Sequence, residues 1–121
     1  MFTEAFPILT TRDLPRLLDF YRGLLRFTET YRFPAEGAPQ YVGLELAGSY
    51  QLGIGEDAEL PTGAGQRFDL CVYAEDCDAA VAHLRAHGVT VTGEPADMPW
   101  GERAARVEDP DGNRLVILSR L

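Results

Sequence analysis

The feature that most constrains this 121-residue chain is a pattern that occurs twice. Phe6 and Asp13 bracket a short apolar segment that is followed by leucines at helical spacing, and Asp69 and Asp76 bracket a similar segment 63 residues later. A repeat of this size is typical of one supersecondary unit present in two copies, each too small to bury a core alone. Two sheets brought together in this way enclose a concave surface, and we expect any function to lie there.

The module boundaries follow from composition. Module one covers residues 1–54 and module two covers residues 67–121. The segment between them, 55–66, is rich in Gly, Asp, Glu, Pro and Thr, as linkers are. We predict a single domain over residues 1–121, since a chain of this length can bury a sizeable core.

Within each copy the apolar spacing changes from strand to helix and back. Leu14, Leu17 and Tyr21 recur at helical intervals, whereas residues 41–47 alternate between apolar and other side chains. Module one is predicted to have a helix after Asp13 and strands at 5–10, 27–33, 41–47 and 50–54. Module two is predicted to have strands at 68–73, 89–92, 103–107 and 114–119, a helix at 77–87 and a loop at 94–101. This order predicts an α+β fold of two tandem βαβββ modules, in which one face of each sheet packs on a helix and the other stays open.

Charge and composition exclude several classes of function. The formal net charge is −8, so the chain repels phosphate backbones, nucleic-acid binding is not expected and cationic ligands are favoured. No apolar run approaches the roughly 20 residues that span a bilayer, and the first residues do not form a secretion signal. We therefore expect a cytoplasmic protein without a membrane partner. Cys71 and Cys77 are predicted to be buried thiols rather than a disulfide.

Six short segments carry a family resemblance. They are Arg12-Asp13-Leu14, Phe20-Tyr21, Leu24-Leu25, Glu75-Asp76-Cys77-Asp78-Ala79-Ala80, Pro99-Trp100-Gly101 and Asp109-Pro110-Asp111-Gly112-Asn113. Together they resemble the vicinal oxygen chelate superfamily, which includes glyoxalase I, extradiol dioxygenases, fosfomycin-modifying enzymes and bleomycin-resistance proteins. The resemblance implies that the two modules form one cupped, mixed sheet, and that the protein is a homodimer. The fold hosts several chemistries, so the resemblance does not specify a function.

The resemblance also implies a divalent metal inside the cup, held by His, Glu or Gln side chains from the first and last strand of each module. The matching positions here are Phe6, Asp69 and Val116, with a fourth near Gln51. Phenylalanine and valine donate no lone pair, and a metal site with open positions needs about three protein donors. We therefore predict no metal and no other cofactor. A magnesium ion held largely by its substrate is the alternative.

Asp69 is the candidate catalytic residue, because strand alternation directs it toward the cup. A carboxylate on a half-apolar surface needs a partner or water. It is interpreted as an anchor for a cationic ligand or as a general base, or else as one half of a salt bridge to Arg67, Arg103 or Arg106.

The remaining candidates for ligand binding are mostly aromatic or polar residues. They either alternate onto the predicted cup face of their strand or lie in the predicted loop at 94–101. Trp100 either stacks on a flat ligand or covers the junction of the modules. His83 and His87 have a spacing that can hold zinc, but they lack a third donor and are set aside. The predicted ligand-binding residues are Phe6, Tyr41, Glu45, Gln51, Asp69, Tyr73, Trp100 and Val116.

Three functions stay open at this point. The preferred one is metal-free binding of a small, flat molecule, with a cationic one favoured, as in bleomycin-resistance proteins. The second is a metal-dependent lyase, isomerase or dioxygenase of the same superfamily. The third is a metal-free enzyme with Asp69 as its base.

Overall fold

A computed structural model describes residues 6–61, 65–66 and 69–121. The chain divides into two compact units, residues 1–63 and 64–121. The first unit contains β1 (Ile8–Thr11), α1 (Leu14–Leu18) with a π-helical continuation (Asp19–Leu24), β2 (Thr28–Phe33), β3 (Tyr41–Leu46) and β4 (Tyr50–Glu56). The second unit contains β5 (Leu70–Tyr73), α2 (Cys77–Ala86), β6 (Thr90–Asp97), β7 (Glu102–Glu108) and β8 (Arg114–Arg120).

Each unit has one four-stranded mixed sheet with the same topology. The strand order is β1-β4-β3-β2 in the first unit and β5-β8-β7-β6 in the second. The first and last strands of each unit pair in parallel, and the other neighbours pair antiparallel. The α+β fold of two βαβββ modules is therefore confirmed. In the described residues, no helix is long and apolar enough to cross a membrane.

Alternation along β3 and β4 builds the core of the first unit. Val42 lies opposite Ile54 and Leu44 lies opposite Leu52, and all four side chains are at most 2% exposed. Leu14, Leu17, Leu18 and Tyr21 of the helical segment are buried as well. Each fully buried aliphatic side chain contributes roughly 2 kcal/mol relative to exposure. The helix therefore covers one face of the sheet and leaves the other uncovered by it.

Two carboxylates fix the start of α1. Asp13 caps the helix by accepting a hydrogen bond from the Arg16 backbone N–H at 3.2 Å. Glu56, at the end of β4, accepts a hydrogen bond from the Leu14 N–H at 2.9 Å. The second carboxylate comes from 42 residues away, so it ties the helix start to the last strand of the unit. The predicted end of β4 at Ile54 was two residues too early.

In the second unit, α2 likewise begins after a capping aspartate and ends before a glycine. Asp76 accepts a hydrogen bond from the Ala79 N–H at 3.1 Å, and Val81 and Leu84 of α2 are buried. Gly88 follows the helix with φ of +82°, a conformation that glycine adopts without strain. Both cysteines are free thiols, as expected, and burial raises the pKa of the Cys77 thiol. Cys71, however, is exposed, so the prediction that it is buried was wrong.

The predicted loop at 94–101 was also wrong in its first half, because β6 continues to Asp97. The strand passes through Pro95, which has no N–H to donate. An edge strand tolerates this residue, and among the described residues β6 has β7 as its one partner strand. Register shifts on both sides of Gly93 absorb the irregularity.

Replacing Glu56 with alanine removes the only acceptor shown for the Leu14 N–H in the described part of the chain. We expect Glu56→Ala to lower the free energy of unfolding by about 1 kcal/mol, as for loss of a helix cap. Urea denaturation followed by circular dichroism measures this. The matched control is Glu59→Ala, since no hydrogen bond or ion pair of the Glu59 carboxylate occurs among the described residues. Equal stability of the two variants would contradict the capping role of Glu56.

Candidate functional site

Each unit offers one candidate surface, the sheet face that its own helix does not cover. We call these the first open face, in residues 1–63, and the second open face, in residues 64–121. The first comprises Ile8, Thr10, Tyr31, Phe33, Tyr41, Gly43, Glu45, Gln51, Gly53 and Gly55. The second comprises Asp69, Cys71, Tyr73, Glu102, Ala104, Arg106, Glu108, Arg114, Val116, Leu118 and Arg120.

Three glycines form a floor in the first open face. Gly43 lies opposite Gly53, and Gly55 follows on the same side of β4. Without side chains at these positions the backbone is open to a close approach. The ring of Tyr41 uses this space: a Cβ built on Gly53 would lie 2.9 Å from its Cζ atom. Tyr41 therefore lies across the sheet instead of standing away from it.

Further apolar side chains border this floor. The rings of Tyr31 and Tyr41 meet edge to face, with centroids 6.0 Å apart. Ile8, Tyr31 and Phe33 are all more than half exposed. Phe6, just before β1, has the same parity and is 49% exposed. Large apolar side chains exposed together on one face mark a binding surface more often than chance.

Glu45 is the one charged residue among the described strand residues of the first open face. It lies opposite Gln51 on β4 and opposite Thr28 on β2. No hydrogen bond or ion pair to its carboxylate occurs within the part of the chain that the structure describes. Tyr41, Glu45 and Gln51 thus share one face, as predicted, and the charge there is negative.

The second open face begins with a carboxylate between two arginines. The Nε atom of Arg114 donates to Oδ1 of Asp69 at 3.0 Å, and Nη1 of Arg106 lies 3.8 Å from Oδ2. The salt-bridge interpretation of Asp69 is thus correct for Arg106 and incomplete without Arg114. The predicted partner Arg67 lies outside the described residues.

Arg103, the third predicted partner of Asp69, lies on the helix side of the sheet. It binds Asp78 through two nitrogens, at 2.5 and 3.0 Å, and Asp97 at 2.9 Å. Its guanidinium lowers the pKa of the Asp78 carboxyl, chiefly through the hydrogen bonds. Since β7 alternates, Arg103 cannot share a face with Asp69, and that prediction was wrong.

A small apolar cluster separates the charged ends of the second open face. Ala104, Val116 and Leu118 are less than 9% exposed, and Met98 packs against them. Val116 lies opposite Cys71, so it is one strand away from the exposed thiol. The predicted ligand-binding residue Val116 is therefore on the expected face, beneath Met98.

Glu102 organises two aromatic side chains at the other end of the second open face. Tyr73 donates its O–H to Oε2 of Glu102 at 2.5 Å, and the indole N–H of Trp100 donates to Oε1 at 2.9 Å. The guanidinium carbon of Arg120 lies 3.9 Å from the centroid of the Tyr73 ring. The hydrogen bond to Glu102 raises the pKa of Tyr73. Trp100 is held in this way while 65% of it stays exposed.

Several residues of these faces were missed by the sequence predictions. Tyr31 and Phe33 carry a strand alternation that would have identified them, but a bulge between Glu29 and Tyr31 obscures it. Glu102 directly precedes the predicted strand at 103–107 and Arg114 begins the predicted strand at 114–119, and the alternation is weakest at such boundaries. No sequence signal pointed to the hydrogen bonds that they make.

The two histidines lie close together at the end of α2. The His83 and His87 rings lie 4.7 Å apart, and Nδ1 of His87 is 2.9 Å from the His83 carbonyl oxygen. Among the described residues, no group of three or more His, Cys, Asp and Glu side chains is placed to hold a metal ion.

The chain resembles known proteins in both sequence and structure. A family model described as Glyoxalase/Bleomycin resistance protein/Dioxygenase superfamily matches residues 5–117. A structure from Sphaerobacter thermophilus, a member of that superfamily, is 28% identical with a TM-score of 0.77, and 98% of each chain is covered. No protein with a curated description matches the sequence.

Two other solved structures show the same fold. TioX from Micromonospora sp. ML1 is 22% identical with a TM-score of 0.77, and 98% of this chain and 99% of that one are covered. The bleomycin resistance determinant encoded on transposon Tn5 is 23% identical with a TM-score of 0.73, and 98% of each chain is covered.

The metal-ligand positions that the family resemblance implies do not fit a metal ion. Ile8 lies opposite Gly53 as its repeat partner Cys71 lies opposite Val116, so the last-strand position of module one is Gly53. Gln51, two residues earlier, was the nearest approximation from the sequence. The four positions are thus occupied by phenylalanine, glycine, valine and an aspartate that faces two arginines. With only one such donor from these positions, water would supply almost all of the ligands of a metal ion.

A side chain at position 53 should displace the Tyr41 ring. We expect Gly53→Ala to lower the free energy of unfolding by about 1–3 kcal/mol through overpacking. Gly55→Ala is the matched control, because its Cβ would lie 3.8 Å from the Tyr41 ring, an ordinary contact. The cost should largely vanish when Gly53→Ala is combined with Tyr41→Ala. Additive costs in thermal unfolding would contradict the contact.

Glu102→Ala removes both carboxylate oxygens. Tyr73 and Trp100 then both lose their acceptor, and we expect Trp100 to become more mobile. Trp100 is the only tryptophan, so its fluorescence anisotropy reports on this site directly. We expect lower anisotropy in Glu102→Ala and a stability loss of about 1–2 kcal/mol. Glu108→Ala, on the same face of β7, should leave the anisotropy unchanged, and a change of equal size in both would contradict the role of Glu102.

Proposed function

We propose that this chain, which belongs to the Glyoxalase/Bleomycin resistance protein/Dioxygenase superfamily, binds a small, flat organic molecule without a metal ion. The supporting observation is the first open face, where aromatic rings lie over and around a glycine floor. A flat molecule stacks on such a surface with little loss of side-chain freedom, because Tyr41 is already held in place.

The charge of the same face favours a cationic ligand. Glu45 is negative and has no described counter-ion, and a cation over aromatic rings gains further attraction from their faces. The net charge of −8 adds a weaker, long-range attraction of the same sign. A planar aromatic cation is therefore the ligand class that we favour for the first open face.

Trp100 on the second open face offers a separate stacking surface for a flat molecule. Its indole is tethered through the N–H to Glu102 and is largely exposed. A fixed, exposed ring is a ready stacking partner. The bleomycin resistance determinant with the same fold is a resistance protein by its description, and sequestration of a flat molecule here would be a role of that type.

Metal-free binding is preferred over metal-dependent chemistry because of the residues themselves. Phenylalanine, glycine and valine occupy three of the four implied ligand positions, and both oxygens of Asp69 face guanidinium groups. The same ion pairs argue against Asp69 as a general base, since a base needs a free lone pair aimed at its substrate. A homodimer and a cytoplasmic location stay predictions from the sequence.

Equilibrium dialysis against 9-aminoacridine, a flat cation at neutral pH, tests the proposal, with neutral acridine as the matched probe. We expect 9-aminoacridine to bind more tightly than acridine, and Glu45→Gln to remove most of that difference, about threefold or more. Glu59→Gln, in the turn after the end of β4, is the control variant.

The metal question is decided in the same experiment. Binding should be unchanged after exhaustive dialysis against a chelator. Affinity that disappears on dialysis and returns only with a divalent metal would refute the proposal and favour the metal-dependent alternative. Failure of both acridines to bind would refute the flat-ligand site itself.

A further inference from the structure

We propose that Arg106 on the second open face binds the anionic group of a planar organic ligand. The inference rests on the proposed function only for Trp100, whose exposed indole on this same face supports a flat ligand, and it adds a site for a carboxylate, sulfonate or phosphate group. Arg106 is not one of the four implied metal-ligand positions, and its role follows from how the strand seats it.

The stem of Arg106 is seated by a glycine in the neighbouring strand. Gly93 lies opposite Arg106, and a Cβ built on Gly93 would lie 3.3 Å from the Cβ of Arg106 and 3.5 Å from its Cγ. A larger residue at position 93 would push the stem away. Gly93 also lies between two register shifts of β6, so the edge strand is adapted to this arginine.

The guanidinium group of Arg106 has fewer polar partners than that of Arg114. Arg114 donates to Asp69 at 3.0 Å and to the Gln66 carbonyl at 3.2 Å. Arg106 has one ion pair, 3.8 Å from Asp69, which is beyond hydrogen-bonding distance, and no hydrogen bond of its guanidinium occurs among the described residues. Its side chain is 56% exposed. A guanidinium carries five donors in a planar fork that matches an oxyanion, so most of its capacity is available.

The surrounding charges make the contact local and directional. Asp69 and Glu108 are the acidic residues nearest to Arg106 in strand position, and Arg114 is the second positively charged side chain there. The two negative and two positive charges cancel, so this region has no net positive charge that would attract an anion. An anion would instead be recognised by hydrogen bonds to Arg106, in competition with Asp69.

Apolar and aromatic side chains continue from Arg106 along the strand. Ala104, the next residue on the same face, is itself buried, so a ligand would contact the half-buried Met98 that packs against its cluster. Glu102 with its two aromatic partners follows. Four residues of strand span about 14 Å at 3.4 Å per residue. That length suits a molecule of two or three fused or linked rings with an acid group at one end.

The test uses a matched pair of fluorescent probes, 1-anilinonaphthalene-8-sulfonate and N-phenyl-1-naphthylamine, which have the same rings with and without the sulfonate. We expect Arg106→Gln to weaken binding of the sulfonate about fivefold and to leave the neutral probe unchanged. Asp69→Asn should have the opposite sign and tighten the sulfonate, because it removes the competing carboxylate. Arg85→Gln, an equally exposed arginine on α2, is the control and should change neither affinity.

Each outcome separates this inference from the proposed function. If both probes bind but Arg106→Gln leaves the sulfonate unchanged, or weakens both probes equally, the anion site is overturned and the flat-ligand site stands. Weaker sulfonate binding in Asp69→Asn would also overturn it. If neither probe binds, the anion site is overturned, and the acridine experiment decides separately whether the first open face binds a flat cation.

Discussion

The rest of the structure depends on the burial of one side of each sheet against a single short helix. In the first unit, the pairs Val42–Ile54 and Leu44–Leu52 fix the register of β3 and β4, because a slip of one residue would expose all four side chains. The residues that alternate with them must then point to the other face of the sheet. Tyr41, Glu45 and Gln51 are placed on the open face by the core beneath them, not by any interaction of their own.

This dependence explains how much could be predicted from the sequence. Strand alternation and the repeat gave the two βαβββ modules and the correct face for Tyr41, Glu45, Asp69 and Val116. The prediction failed where the ladder is irregular: β6 continues through Pro95, and the bulge after Glu29 obscured Tyr31 and Phe33. The hydrogen bonds of Glu102 and the two arginines of Asp69 depend on where long side chains end. No local spacing determines those positions.

Asp69 shows why a residue at a family ligand position need not keep the family role. A carboxylate there would be drawn toward a metal ion only if other donors shared the cost of removing water from both. Here the corresponding positions are hydrocarbon or glycine, and arginines from β7 and β8 supply the positive charge instead. The carboxylate is satisfied by protein, so its presence indicates an ion-pair network more than a remnant of metal binding.

The open faces of the two units differ in which strand carries the large side chains. In the shared register, Tyr41, Gly53 and Gly55 of the first unit correspond to Ala104, Val116 and Leu118 of the second. Where the last strand has glycines, its neighbour supplies a large ring; where the last strand has branched aliphatic residues, its neighbour supplies alanine. Each sheet thus keeps a filled layer, but the first presents an aromatic surface and the second an apolar one bordered by arginines. Because packing constrains the sum of the volumes and not which strand provides them, two chemically different open faces arise from one repeated unit without disturbing either core.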